Sequence, residues 1–530
     1  MSRHEPEPYD LVVVGGGMGG LATAALAQRV GLRVALLEAH TKLGGCAGYF
    51  ERGGFTFDAG ATALMGLGAD EPLGRFLGVT GVNLPFTQFA GYRVHLPDRS
   101  LEIAPDPGRF EQMIARVFPG DFQRKRDFWR LQHFVGSTLF RASSGIPRLP
   151  LRSVSDLIHD LRILGPRGAL AGATWTVTVR DVLRFFGVAG DRAFVAFVAM
   201  LLQDTVQAGP DVVPFANAAA CLHAYRAGMS RPTGGMKALG EGIGSRFAAM
   251  GGDLRTASLV DRVEESDGGV TVHTRRRERL RARQVVLNLP IDRAAALLGR
   301  SLSGRLGRAE QRSQARWSAF TAYLAIDREV VPDTAPLFHH ILQDYSLPIH
   351  DGNNALVSLA APDDEGYGPS GVRVATMSTH TRPDGWFGLD GAAYRARKAE
   401  YSTRLLSALE RALPGATSHL KHVEFASPRS FLRYVRRANG AVGGPPVRRS
   451  NSLFLAVGSD VLGPGLWLVG DSVFPGQGTM ATVLSAIRAV ERISGMSWNA
   501  MVVSGDEPTP EARMAPCHES PWLVEGGRGR

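Results

Sequence analysis

The sequence predicts an α/β chain in which a Rossmann-type nucleotide-binding domain, assembled from separated stretches, is interleaved with a mixed α+β domain. Three observations carry that expectation. A β-branched apolar run, Tyr9 to Val14, leads straight into Gly15-Gly16-Gly17-Met18-Gly19-Gly20 and then into an Ala-rich apolar stretch. A second apolar run followed by glycines and a helical pattern lies at residues 465–493. Between them, helix-type and strand-type runs alternate over long stretches.

The first run reads as a buried parallel strand, because it is apolar at consecutive positions rather than at alternate ones. Leu21 to Val30 reads as the following helix with Gly31 as its stop, and Arg33 to Leu37 as a second strand ending in Glu38. A G-x-G-x-x-G is weak evidence alone; between strand and helix, with an acid eighteen residues after Gly20, it is specific. Gly15 permits the tight turn, Gly17 lets backbone touch a pyrophosphate, and Gly20 lets helix and strand pack closely. The phosphates of a dinucleotide then meet the partial positive charge of the helix N-terminus. Glu38 accepts both ribose hydroxyls of an adenosine and repels a 2′-phosphate, which disfavours NADP.

Leu43-Gly44-Gly45-Cys46-Ala47-Gly48 and Gly53-Gly54-Phe55-Thr56-Phe57-Asp58-Ala59-Gly60 follow, a block that a nicotinamide-only domain does not demand. In the middle third, Gly234-Gly235-Met236 precedes a helical stretch to Met250, and Leu254 to Val263 and Gly269 to Thr274 read as strands. Arg279, Arg281 and Arg283 alternate with Leu280 and Ala282, the pattern of a hairpin with one wet face rather than of a nucleic-acid site, which would interleave aromatics. Near the end, Gly465 to Val469 reads as a short strand, followed by Gly470-Asp471-Ser472, Phe474-Pro475-Gly476-Gln477-Gly478 and a helix over Thr479 to Ile493.

These motifs resemble the flavin-dependent amine-oxidase-like superfamily and, within it, the phytoene desaturase and carotenoid isomerase group, closest to acyclic carotenoid 3,4-desaturases. The resemblance implies FAD as cofactor, held by Gly15, Gly17, Gly20, Glu38, Gly44, Gly45, Gly470, Gly478 and Met480. It places the adenine-contacting valine at Val260 and gives Asp471 a ribityl or pyrophosphate oxygen. It points the helix starting near Thr479 at the pyrimidine ring of the flavin. Cys46 and Gly60-Ala61-Thr62 depart from the Gly-Gly-Arg and Gly-Pro-Thr of phytoene desaturases, which puts phytoene itself in doubt. Phe431-Leu432-Arg433-Tyr434 and Asn439 to Pro446 resemble a substrate-side segment; a flavin-facing wall and a surface loop are both open readings.

The resemblance divides the chain into an FAD-binding domain at 9–90, 226–300 and 441–497, a substrate and membrane-facing domain at 91–225 and 301–440, and a loose Pro-, Glu- and Gly-rich tail at 498–530. The implied activity is desaturation of a long acyclic carotenoid by hydride transfer to flavin. Alternatives are cis-trans isomerisation with reduced flavin, a retinol-saturase-like reduction, amine oxidation, and a non-enzymatic escort role, against which the intact glycines, Glu38 and Asp471 argue. No second G-x-G-x-x-G is present, so a quinone or oxygen is the expected electron acceptor.

Composition sets outer bounds. The 530 residues, 44% hydrophobic and 21% charged, suit a large folded core. Lys plus Arg is 60 against 50 acids, and the lysines are only Lys42, Lys125, Lys237, Lys398 and Lys421. The basic excess fits an anionic membrane surface, with Arg-biased coding as the competing explanation, and no nucleic acid is expected. Cys46, Cys221 and Cys517 are too few and too dispersed for a disulfide framework, which suggests a reducing compartment and a cytoplasmic, peripherally membrane-associated protein. Leu11 to Ala27 is apolar like a signal core, but Glu5, Glu7 and Asp10 give it the wrong flank. The longest other apolar run, Ala193 to Leu202, is half a span, and reads either as a core helix or as a dip into one leaflet. His339 and His340 are adjacent, so in a strand they face opposite ways and cannot share a metal. No hydrolase motif stands out, and no acid or base can be singled out for catalysis.

Overall fold

The computed structural model describes residues 7–89, 91–266 and 268–503. Two seven-stranded sheets organise it. In the first, the parallel strands Tyr9–Val14, Val34–Leu37, Asp253–Arg255, Arg279–Leu287 and Leu466–Leu468 lie side by side, with Val12 opposite both Ala35 and Val285 and Val285 opposite Leu466. The central strand is fully buried at Leu11, Val12 and Val13, which is why it is apolar at consecutive positions from Leu11 to Val14. Met18–Arg29, Gly235–Ala249 and Thr479–Ser494 pack on it with the short helix Trp498–Val503, forming one continuous core.

The Arg-rich hairpin forms as its alternation requires. Gly269–Thr274 pairs antiparallel with the start of Arg279–Leu287, Leu280 and Ala282 are buried, and Arg279, Arg281 and Arg283 are exposed. The strand expected over Leu254 to Val263 is two strands, Asp253–Arg255 and Val260–Ser266, because backbone at Ala257 and Ser258 turns aside to bond the carbonyls of His40 and Glu38.

The second sheet is mixed. Leu420–Ala426, Ser318–Asp327, Val372–Thr381, Asn354–Leu359 and Phe338–Leu342 run antiparallel in that order, and Phe338–Leu342 pairs parallel with Tyr92–His95, which pairs with Ser100–Ile103. The long helices Phe122–Ser143, Arg192–Thr205 and Phe215–Ala227 share a core with the outer end of this sheet. Arg192–Thr205 contains the apolar run that sequence left between core and leaflet. It is a core helix, with Phe194, Phe197, Val198, Met200, Leu201 and Leu202 buried, each large side chain contributing about 1.5–3 kcal/mol. No helix among the described residues is long and apolar enough to cross a membrane.

His339 and His340 do point to opposite faces. The His339 Nδ1 lies 3.2 Å from Nε2 of His95 on the neighbouring parallel strand, and burial drives both His339 and His340 down to about 3. The loose tail expected from residue 498 instead begins as the helix Trp498–Val503. Trp498 and Met501 are buried, Trp498 lies under the Arg75 guanidinium at 5.5 Å, and its backbone N–H donates to Glu491 at 2.9 Å. The buried Trp498 and Met501 dock a six-residue helix that composition alone reads as tail; residues 504–530 lie outside those described.

Candidate cofactor and substrate site

The glycine-rich turn is built as its residue types demand. A Cβ on Gly20 would overlap the carbonyl oxygen of Gly15, so strand and helix approach closer than any side chain permits. Gly15 takes φ +101°, and its N–H donates to the Leu37 carbonyl at 2.8 Å, linking the turn to the second strand. The helix Met18–Arg29 carries no side-chain cap, leaving its first-turn N–H groups for an anion.

Glu38 ends the second strand beside this turn. Its Oε2 accepts from the Gly16 N–H at 2.6 Å and its Oε1 from the His40 N–H at 2.6 Å, so two backbone donors aim the carboxylate while lone pairs remain. The Ser258 N–H donates to the Glu38 carbonyl at 2.8 Å, which brings the start of Val260–Ser266, with Val260 buried, to the same end of the sheet. Gly44 donates its N–H to Gly16 at 2.9 Å, and a Cβ on Gly45 would lie 3.2 Å from the Gly17 Cα.

Asn288, which sequence reasoning missed, sits at the centre. It follows the strand Arg279–Leu287, its N–H donates to Val14 at 2.9 Å, and its Nδ2 donates to the Gly15 carbonyl at 3.2 Å. A Cβ on Gly17 would fall 2.9 Å from Asn288 Nδ2, and one on Gly470 2.8 Å from its Oδ1. One side chain thus joins both glycine motifs. The apolar run Val285-Val286-Leu287 was the available signal, since the residue after a buried parallel strand faces the ligand crevice.

Asp471 has an occupied carboxylate. Arg437 donates to it twice, Nη1 to Oδ2 at 2.5 Å and Nη2 to Oδ1 at 3.3 Å, and Nη2 also reaches the Gly443 carbonyl at 2.8 Å. Burial pushes the neighbouring Cys46 thiol up, and the Arg437 charge partly counters this. Arg437 therefore ties the Gly44-Gly45-Cys46 block to the Gly470-Asp471 block, a link with no signal in either motif. Gly478, at φ +101°, begins Thr479–Ser494, which also lacks a side-chain cap, and Met480 packs on Gly66.

The segment 439–446, read as either flavin-side wall or loop, lies against these elements. The Gly444 N–H donates to Gln477 Oε1 at 3.0 Å, and Gln477 Nε2 donates to the Thr205 carbonyl at 2.8 Å. Tyr434, by contrast, is on the surface. Next to Thr205, Asp204 keeps some accessible surface, yet burial pushes its carboxyl up to about 6. A further buried network ties the second sheet to the strand Phe55–Asp58. Arg231 pairs with Asp58 and Asp364 at 2.6 Å each, Tyr367 donates to Asp58 at 2.5 Å, and Tyr323 donates to the Ala59 carbonyl at 2.7 Å.

A parallel sheet with an uncapped glycine turn, an acid ending the second strand beside it and a second glycine element meeting it across Asn288 is the architecture of a dinucleotide-binding oxidoreductase. The chain belongs to the flavin containing amine oxidoreductase family, whose model matches residues 18–494, and it is an FAD-dependent oxidoreductase. It is 24% identical over 512 residues to chloroplastic prolycopene isomerase of Daucus carota, covering 92% of this chain and 80% of that protein. It is 25% identical over 524 residues to the lycopene-forming phytoene desaturase of a Paracoccus strain, covering 92% and 97%. The fold also matches an oxidoreductase from Methanosarcina mazei with a TM-score of 0.61 at 17% identity, covering 91% of this chain and 99% of that one. The clustered glycines that a Cβ would block, the free helix N-terminus and the Glu38 carboxylate fit FAD.

Proposed function

We propose that this protein desaturates a long acyclic carotenoid. The observation that carries the reading is the match along nine-tenths of the chain to enzymes named for prolycopene and phytoene. The surroundings of the site suit a polyene. Ala63 and Met65, just past the Gly60 element, pack into the large apolar cluster that also holds Tyr225, Phe338 and Val447. Desaturation removes a hydride and a proton from neighbouring saturated carbons. FAD, when bound, would supply the hydride acceptor, the proton would be released to solvent, and a quinone or oxygen would take up the electron pair with two protons. Asn288 and the glycines it bridges set the cofactor's position, and Glu38 anchors its adenosine ribose. The N-terminus of Thr479–Ser494 favours negative charge on the ring facing it. Under this reading the cofactor domain comprises 9–90, 226–300 and 441–497, and the substrate domain 91–225 and 301–440.

A membrane-resident substrate calls for a membrane-facing entrance. On Val154–Ala173, Val154, Leu157, Ile158 and Leu161 are exposed at helical spacing, and Leu170 and the 82%-exposed Phe185 add to them. Such a face with arginines beside it suits the headgroup boundary of a bilayer.

Isomerisation is the second reading, favoured by the similarity to prolycopene isomerase over 92% of this chain. Expression in bacteria that accumulate different acyclic carotenes separates the two. Products with more conjugated double bonds support desaturation, and unchanged mass with an altered cis/trans pattern supports isomerisation. No change with any carotene, from a protein that purifies with FAD, refutes the carotenoid reading.

A further inference from the structure

The helix Gly304–Ser313 and the segment Pro445–Asn451 enclose an open cavity of about 310 Å³. Arg308, Arg312, Arg316 and Arg448 line it, and no carboxylate does. Some arginines elsewhere in this chain meet acids, as Arg130 meets Glu111 at 2.9 Å, Arg180 meets Asp211 at 2.9 Å and Arg328 meets Asp333 at 2.6 Å. None of the four cavity guanidiniums makes a hydrogen bond or ion pair with a described residue. In a chain this rich in arginine, the choice of Arg over Lys says little. Convergence of four unpaired charges on one concavity says more, because like charges repel until an anion joins them.

The walls are fixed. Asn451 Nδ2 donates to the carbonyls of Arg312 at 3.1 Å and Pro446 at 3.0 Å, so helix end and turn hold a constant separation. Guanidinium forks on such a frame match the oxygens of a phosphate, which accepts bidentate pairs. The chain just past the cavity offers apolar contacts to a ligand that extends out of it. Arg449 donates to the Thr176 carbonyl, Trp175 donates to Ser452 Oγ at 3.0 Å, and the Phe454 ring meets Trp175 edge-on at 6.0 Å. Three and four residues past the cavity-lining Asn451, Phe454 and Leu455 are 54% and 40% exposed, and Val177 is exposed as well.

We propose that the Arg308–Arg312–Arg316–Arg448 cavity binds the phosphate headgroup of an anionic lipid, with Phe454 and Leu455 against the adjoining chains. The site deepens the membrane-facing reading above and rests on it. It would fix the orientation in which the protein sits on a bilayer.

The test uses full-chain FAD-loaded protein and vesicle co-sedimentation, with phosphatidylcholine alone or mixed with phosphatidic acid. Wild type should bind the acidic vesicles much more tightly. The R312Q/R448Q variant should lose about 25-fold of that affinity, about fivefold per arginine near the surface, and keep its binding to phosphatidylcholine and its flavin content. An R276Q/R279Q control removes the same charge from the exposed hairpin and should change binding less than about twofold. Equal loss in the control shows a diffuse field, and equal wild-type binding to both vesicles shows no headgroup recognition; either overturns the proposal. Inorganic phosphate that stabilises wild type but not R312Q/R448Q, without a vesicle preference, identifies a soluble oxyanion site and overturns the lipid assignment. Wild type that binds no vesicle at all refutes the membrane reading itself, a result distinct from indifferent binding to both.

Discussion

Replacing Arg437 with glutamine is the sharpest perturbation of the cofactor site. In the intact protein its guanidinium holds Asp471 by two bonds, at 2.5 and 3.3 Å, and the Gly443 carbonyl by a third at 2.8 Å. The two side chains are only 11% and 18% exposed, so water does not replace what is removed. Breaking one side of a buried pair costs about 3–5 kcal/mol, because the other charge is left uncompensated. The residual exposure moves the expected loss of stability toward the lower figure, about 3 kcal/mol. The freed Asp471 carboxylate also follows Gly470, which packs against the glycine turn proposed to receive the cofactor phosphates. A charge-assisted contact of about 1.5–3 kcal/mol sets the further loss in FAD affinity at roughly 10- to 100-fold. Denaturant midpoints in saturating FAD and flavin titration of apoprotein separate the two effects. The R437Q/D471N double variant should recover part of the loss, with a coupling of about 1–3 kcal/mol. Alkylation of Cys46 should slow in R437Q, since the charge that partly counters its upward shift is gone. An R437Q protein that purifies with full flavin and an unchanged midpoint refutes the assignment of Arg437 as the link between the two glycine blocks.

Other outcomes follow from the same geometry. G20A places a methyl group onto the Gly15 carbonyl, where neither backbone can yield, so it should abolish FAD binding and lower stability by about 3 kcal/mol or more, read by flavin absorbance and thermal unfolding. D58N deprives Arg231 of one of its two carboxylates in a network where all three side chains are at most 4% exposed, and should cost about 3 kcal/mol in a denaturant titration. Asp204, raised from 3.8 to about 6 by burial, holds its proton more tightly folded than unfolded, so it destabilises the fold as pH rises from about 4 through 6. D204N should therefore lie close to wild type at about pH 3, gain on it between about pH 4 and 6, and exceed it at pH 8, by at most about 3 kcal/mol since Asp204 keeps some accessible surface; parallel pH profiles of the two proteins contradict this.

What was legible in the sequence was what short-range sterics dictates. A strand buried on both faces must be apolar at every position, and a phosphate-binding turn must be glycine where backbone meets backbone. Tyr9–Val14, Gly15 to Gly20 and Glu38 therefore announce themselves, and the alternation from Arg279 to Arg283 gives its wet face away for the same reason. Asn288, Arg437 and the Arg231 network were not legible, because each acts between stretches far apart in the chain. Arg231 meets Asp58 across 173 positions, and Arg437 meets Asp471 across 34 from a segment with no periodic signature. Asn288 was the nearest to being read, since Val285-Val286-Leu287 is as apolar as Val12-Val13-Val14 and lies opposite it in register. A third parallel strand recognised there would have placed its following residue at the crevice. The Arg437 case shows why a motif residue is an incomplete guide to its role. The resemblance assigns the Asp471 carboxylate to the cofactor, whereas the structure pairs it with a guanidinium delivered by another segment, so on the proposed reading Asp471 would meet the cofactor as half of a pair. Removing the aspartate alone would then leave Arg437 unpaired, and D471N should weaken FAD binding less than R437Q, because the cation left behind still attracts the phosphates.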